Sequence, residues 1–458
     1  MKKLSLVLAT ILCASINISA DTVQEAFSEG TVSGELKSFY INRTFDGVST
    51  THRDALSVGG NLHYNTAKYY GFDVGATFYT ANKVDGKSDN SAENDPSLVN
   101  GDGDGYSVLG EAYIGYEAGK TSVRLGQQSI NTPFAAANNF RMLPNTFEGI
   151  VVKNSDVTDT KFELGHITRV QTNSFANSTI TDSTLDNSDG SRSRLGLLYG
   201  FGPGNKIGEF ATIANTYLGS DNSETTAGMT YLNVKYTGVK DFTFSIWDQY
   251  IHDIMNIVVA KASYKGKLGD VKTFASVFYT KQNSVGDNLL GKAFNTGSGD
   301  EDVDATQYGA MIKASLDNGF GIDLRYVNTL ASKDSVLDGG IVNALGGANP
   351  FIISQGALHA NFGDTSSYMA GVNYQLKPLT GLDILAVVNY FEYDVGEYNG
   401  YQSGYAWTTK EVDLDLIYTV TKEFKLRARA NFPRDWFDLG GTTQLSFDEY
   451  RLIAYYKF

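Results

Sequence analysis

Cysteine is all but missing from this chain. The single one, Cys13, falls within the first twenty residues, so a chain beginning after them holds neither a disulfide nor a thiolate metal site. A lipoprotein reading of Cys13 meets Leu12, which is bulky where a small residue belongs. Histidine is sparse as well. His52, His63, His166, His252 and His359 are scattered, with no His-x-x-x-His pair and no Gly-x-Ser-x-Gly elbow, so zinc sites and hydrolases have no local motif. Nothing in the pattern calls for a cofactor or a metal. Past residue 20 no apolar run approaches the roughly 20 residues a transmembrane helix requires, and mean hydropathy is −0.22. Helical membrane proteins are excluded by this. A transmembrane barrel is not, because its strands need only about 9–11 residues with every second one apolar.

The start, "MKKLSLVLATILCASINISA", has a basic end, an apolar stretch and Ala20 before Asp21. That is the pattern of a cleaved secretory signal over residues 1–20, leaving a single domain over 21–458. Without Lys2 and Lys3 the chain carries 35 basic against 51 acidic residues, a formal charge of −16. Such a balance argues against nucleic acid as a partner.

What the sequence does contain is 28 Tyr, 26 Phe and 48 Gly against only 7 Pro, the make-up of an aromatic-rich β protein. Its last ten residues, "EYRLIAYYKF", set Tyr450, Leu452, Ala454, Tyr456 and Phe458 on one face of an extended strand, and Arg451, Ile453, Tyr455 and Lys457 on the other. The same period of two recurs. "TKEVDLDLIYTV" opposes Val412, Leu414 and Leu416 to Glu411, Asp413 and Asp415, and "KEFKLRARANF" opposes Phe424, Leu426 and Ala428 to Lys425, Arg427 and Arg429. Short turns such as "EAGK", "KGKLGD" and "LDNG" alternate with longer polar segments around 82–106, 131–146, 171–227, 283–302, 331–365, 394–409 and 434–444.

This pattern predicts strands near 31–43, 54–67, 69–81, 106–118, 120–130, 147–154, 159–170, 228–237, 240–251, 253–265, 269–282, 303–316, 319–332, 365–377, 380–393, 409–419, 422–433 and 446–458. The reading is an all-β fold: a transmembrane antiparallel up-and-down barrel of about eighteen strands with both ends on the short-turn side. A lipid-facing Arg costs roughly 2–4 kcal/mol at the bilayer midplane, so Arg427, Arg429 and Arg451 are expected to face a lumen wide enough for water. Outer-membrane lipid would then cover the apolar faces. The terminal Phe458 is similar to the C-terminal signal read by barrel-assembly machinery.

"NGDGDGYSVLGE" invites a calcium reading through Asn100, Asp102, Asp104, Gly105 and Glu111. Glu111 opens a strand pattern instead of a helix, and an acidic external loop with Asp85, Asp89, Glu93 and Asp95 nearby is the simpler account.

Four stretches together resemble the OprD-type porins, the substrate-specific outer-membrane carboxylate channels. They are "LKSFYINRTFDG", "NTPFAAANNFRMLPNTFEG", "YIHDIMNIVVAKASY", and "LRARANF" followed by "DEYRLIAYY". The resemblance runs from about residue 31 to 458 and is weakest across 171–227. It implies eighteen strands, a lumen narrowed by inward-folded third and seventh loops, and a row of basic side chains guiding carboxylate solutes. Here that row falls on Arg43, Arg427, Arg429 and Arg451, with Arg141 joining from the third loop. From the same loops, Asn138 and Asn139 are expected to line the constriction beside Arg141, and His359 to lie near the pore. Asn361 stands where well-known members carry an acid. Glu411, Asp413 and Asp415 sit beside the arginines and are equally compatible with a self-compensated wall and a general porin. A barrel hydrolase and a soluble β-sandwich are the readings from other classes. Whether the chain is a monomer or a trimer is left open.

Overall fold

The computed structural model describes residues 20–47, 50–84, 93–95, 97–99, 105–174, 194–199, 207–219, 222–294, 301–347, 351–352, 354–438 and 444–458. The expected signal segment and the candidate calcium ligands Asn100, Asp102 and Asp104 lie outside them. Eighteen strands form one ring: β1 (Thr31–Asp46), β2 (Thr51–Asn65), β3 (Phe72–Lys83), β4 (Tyr106–Ala118), β5 (Thr121–Gln128), β6 (Thr146–Asn154), β7 (Thr160–Gln171), β8 (Met229–Tyr236) and β9 (Phe242–Ile251), then β10 (Met255–Leu268), β11 (Val271–Ser284), β12 (Asp304–Ser315), β13 (Phe320–Thr329), β14 (Thr365–Gln375), β15 (Ile384–Val395), β16 (Trp407–Thr419), β17 (Phe424–Arg434) and β18 (Gln444–Lys457). Each pairs antiparallel with the next. β18 returns to β1 from Glu35↔Lys457 to Asp46↔Ser446, which closes the sheet and leaves no edge to satisfy in hydrocarbon.

The period-two pattern is the cause of this closure. On β18, Tyr450 is 48% exposed and Leu452 59%, while Arg451 between them is 3% exposed. The same outward display continues through Leu36, Leu62, Ile114, Leu164, Ile246, Ile312, Leu324, Val372 and Leu416, all exposed. In water these side chains would be a severe liability; against lipid tails they are at home. Among the described residues no helix is long and apolar enough to cross a membrane.

All eighteen expected segments are present, with shifted ends. β1 runs on to Asp46 and β2 begins at Thr51, because Thr44 and Phe45 still pair with His52 and Thr51. Polar outward residues break the apolar alternation there without breaking the ladder. The short turns are made by left-handed residues, among them Gly119 (φ 58°) and Gly269 (φ 61°); no atom crowds either Cα, so glycine serves the backbone angle and not space.

The end of the barrel with long loops is packed, not open. Phe134 and Ala135 of the third loop, Leu197 and Leu198 of the fourth, Leu290 of the sixth, and Ile341, Leu345 and Phe362 of the seventh form one buried cluster with Met229, Ile257, Val327 and Phe391 of the wall. The inner face is therefore more apolar at this height than strand alternation alone suggests, because the loops bring their own apolar residues to it.

Candidate constriction and its basic wall

The third loop, between β5 and β6, turns inward. Its hairpin, Asn131–Thr132 against Ala135–Ala136, rests on Gln249 of β9: the Phe134 amide donates to Gln249 Oε1 (3.2 Å), and Gln249 Nε2 donates to Thr132 Oγ1 (2.9 Å). Gln282 of β11 holds the seventh loop the same way, accepting the Val342 amide (2.9 Å) and donating to its carbonyl (2.8 Å). Gln307 of β12 donates to Ala360 O (2.7 Å). Three neutral lumen-side glutamines thus seat the loops. Their amides satisfy backbone groups that would otherwise be buried without partners.

The two loops then clasp each other. Ala135 forms a parallel bridge with Leu345, the Ala136 amide donates to Leu345 O (3.4 Å), and Asn138 Nδ2 donates to Gly346 O. Asn138 adopts a left-handed φ of 45°, which suits an asparagine at this bend. Asn145 Nδ2 donates to Ala136 O (2.8 Å), and its Oδ1 accepts the Asn173 amide (2.7 Å).

The arginine wall is formed by β17, β18 and β1. Arg429 and Arg451 are register partners across β17 and β18, and Arg43 faces Glu449 across β18 and β1. Arg427 makes a forked contact with Asp415, with Nε at 2.8 Å from Oδ1 and 3.1 Å from Oδ2. Glu449 bridges Arg43 and Arg451, and Asp95 of the second loop adds a second acid to Arg43 (2.9 Å). Arg429 stands apart. Its nearest acid contact is Nε to Asp415 at 3.6 Å, too long for a hydrogen bond.

Glu411 and Asp413, the two acids beside this wall on β16, are turned to another task. Glu411 accepts from Ser354 Oγ (2.7 Å) and from the amides of Gly356 (2.8 Å) and Ala357 (2.7 Å), and Asp413 accepts the Gln355 amide (2.9 Å). Arg451 Nη2 in turn donates to Gln355 O (3.1 Å), so the seventh loop is tied to the wall by acids and an arginine together.

Of the residues expected at the site from sequence, Arg43, Arg427 and Arg429 lie on the inner face and keep partial exposure. Arg451 has almost none. Asn139 is exposed on the third loop and Asn138 half-buried in the clasp. Arg141 is 2% exposed, donating from Nε to Ser97 Oγ (3.0 Å) with its guanidinium over Phe39; its carbonyl accepts from Lys37 Nζ (3.2 Å). Burial first, then the like charges of Arg451 and Arg43, lower its pKa from the ordinary arginine value. It belongs to the same electropositive cluster but beneath the surface.

His359 has no exposed surface; it lies in an aromatic box of Phe362, Tyr393, Trp407 and Phe437, with Nε2 2.6 Å from Trp436 O. It packs the loop core, and burial pushes its imidazole down to about 3. Asn361 is also buried, donating to Leu198 O (2.6 Å) in the fourth loop. Glu111 of β4 accepts from the Ser129 amide (2.7 Å) and from Thr77, and Asp95 serves Arg43. Among the described residues no cluster of His, Cys, Asp or Glu has metal-holding geometry.

The profile described as "outer membrane porin, OprD family" matches residues 25–458. Porin D of Pseudomonas aeruginosa is 31% identical over 140 residues, which span 29% of this chain and 31% of that protein. In structure the chain is similar to OccAB3 of Acinetobacter baumannii (TM-score 0.72, 16% identity, 94% of this chain and 99% of the other). It is also similar to OpdK of P. aeruginosa crystallised with vanillate (TM-score 0.67, 16% identity, 94% and 99%). At such identities the structural likeness speaks for the fold, while the profile match over nearly the whole length speaks for descent. The chain belongs to the OprD family of outer membrane porins, barrel channels for the uptake of small solutes.

Proposed function

We propose that this porin passes small polar solutes by diffusion and favours those bearing a carboxylate, which travel along Arg427, Arg429 and Arg43, with the buried Arg451 adding its charge behind them. The observation that carries this reading is the redirection of Glu411 and Asp413 into the seventh loop. With those two acids spent on backbone amides, the lumen side of β16–β18 and β1 presents its arginines against Asp415, Glu449 and Asp95, while Glu35 of β1 pairs with Lys37 and Lys457. A guanidinium stays charged and offers paired donors in a plane, the geometry a carboxylate accepts. Arg429, with no acid in hydrogen-bond range among the described residues, is the position where a solute carboxylate finds donors to spare. Spacing the charges along the wall keeps each site weak enough to leave. The relative crystallised with vanillate accords with an anionic solute class.

A general porin with a compensated wall is the second reading, favoured by the forked Arg427–Asp415 contact and the Arg43–Glu449–Arg451 bridge. Planar-bilayer reversal potentials in a salt gradient separate the two. Loss of anion preference in Arg427→Ala/Arg429→Ala supports the arginine path; selectivity equal to wild type, together with unchanged carboxylate uptake, rejects it in favour of the compensated wall. Residues 1–20 as an export signal, insertion through the strand ending at Phe458, and a lipid belt on the outward faces complete the proposal.

A further inference from the structure

A second run of cations lies on the other side of the lumen. Lys161 of β7 is the register partner of Lys235 on β8, Lys235 pairs with Ser245 on β9, and Ser245 pairs with Lys261 on β10. Cross-strand partners share a face, so the three lysines and the serine form one row on the inner wall. In an eighteen-strand ring β8 and β9 are nine strands from β17 and β18, placing this row opposite the arginines.

The row is electrostatically costly. Lys161 and Lys235 are like charges directly across a ladder, where side chains are about 5 Å apart at Cβ and repel. Lys261 feels Lys235 as a like-charged neighbour two strands on. Among the described residues none of the three has an ion-pair partner. The nearest acid on the same face, Glu163, is committed to Lys153 (3.3 Å) and to Tyr231 OH (2.9 Å). Ser245 Oγ accepts from Asn233 Nδ2 (3.0 Å), which leaves its proton to donate.

The row also leads somewhere. Lys161 is the second residue of β7 and Lys235 the last but one of β8, at the short-turn mouth, whereas β10 continues seven residues past Lys261. Because strands tilt about 35–45° to the barrel axis, a register row climbs as it crosses them. Its upper end, Lys261 Nζ, sits 5.3 Å from the ring centre of Phe351 in the seventh loop. The lysines therefore step from the constriction to the inner mouth.

We propose that Lys161, Lys235 and Lys261, with the Ser245 hydroxyl, form an exit site for anions, and that its preferred occupant is a solute with two carboxylates. One adjacent pair of cations and a third about 10 Å away, at two strand spacings, match two separated anionic groups better than one. This site rests on the reading of the lumen as the solute path but not on the arginine wall.

Succinate and acetate serve as probes on the full-length protein, with thermal unfolding in detergent at low ionic strength and single-channel current in bilayers as readouts. Succinate should raise the Tm of the wild type more than acetate does, and should reduce current when added at the short-turn mouth. Lys161→Gln/Lys235→Gln should unfold at a higher temperature without anion, since repulsion is gone. It should bind succinate roughly tenfold more weakly, the loss expected for a charged hydrogen-bonding partner. Lys161→Arg/Lys235→Arg should keep the response. A Gln variant retaining the full succinate response, or an Arg variant losing it, overturns the exit site. Arg429→Ala unchanged in selectivity overturns the arginine path while leaving this row standing.

Discussion

Glu411 on β16 accepts the amide of Ala357 at 2.7 Å, across 54 positions of sequence. With Ser354 Oγ and the Gly356 amide on the same carboxylate, that contact makes the seventh loop part of the wall.

Removing this anchor should widen the channel without unfolding the barrel. Hydrogen bonds to a charged group contribute about 1.5–3 kcal/mol each, and Glu411→Ala removes three while the β16 ladder to β15 and β17 remains. The expected result is a rise in single-channel conductance and in current noise, with the variant still migrating as a folded barrel in unboiled gels. Conductance equal to wild type would show that the loop is held elsewhere.

Arg429 and Arg451 face each other yet should behave differently on substitution. Arg451 and Glu449 are 3% and 1% exposed in their side chains, so Arg451→Ala leaves the buried Glu449 with one cation fewer, Arg43 remaining, and frees the Gln355 carbonyl, at a cost of about 1.5–3 kcal/mol. Its unfolding temperature should drop. Arg429→Ala frees no buried acid and should lower anion selectivity with little change in Tm. Equal Tm losses in the two variants would contradict the separation.

Much of this organisation was readable from the chain. The alternation of Tyr450, Leu452 and Tyr456 with Arg451 is a local property, and lipid cost alone turned Arg427, Arg429 and Arg451 inward. The inward folding of "NTPFAAANNFRMLP" also agrees with expectation. The unread part depends on distant partners: Glu411 and Asp413 look like wall acids until the amides of residues 355–357 arrive, and Gln249, Gln282 and Gln307 carry no charge pattern to mark them. His359 is placed close to the pore by its loop, but Phe362 of that loop and Tyr393, Trp407 and Phe437 from other segments enclose it. The lysine row needs three registers across four strands, which periodicity does not supply.

His359 gives the loop core a pH dependence. Its folded pKa of about 3 lies below the 6.5 of an exposed imidazole, so the unfolded state binds the proton first. Stability from the neutral ring is complete above pH 6.5 and falls as pH drops toward 3, by about 1.4 kcal/mol per unit at most. His359→Phe, which keeps the aromatic box, should flatten the Tm profile between pH 6.5 and 4 relative to wild type. Identical slopes would assign acid sensitivity to other groups.

Gly347 sets how closely the seventh loop approaches the third. A Cβ built there would stand 2.0 Å from Pro133 O and 2.2 Å from Phe134 Cα, both main-chain atoms of a loop held by Gln249. Neither can yield as a side chain would. Gly347→Ala should therefore push the loops apart, weakening Asn138 to Gly346 and the Ala135–Leu345 bridge together. Liposome swelling with neutral sugars of graded size measures the result: larger sugars should enter through the variant, with the barrel's Tm little altered because the clasp lies inside the ring and not in its ladders. If the size limit stays where it is in the wild type, the narrowest passage is not bounded by this clasp, and the channel's sieve must be sought between the seventh loop and the arginine wall.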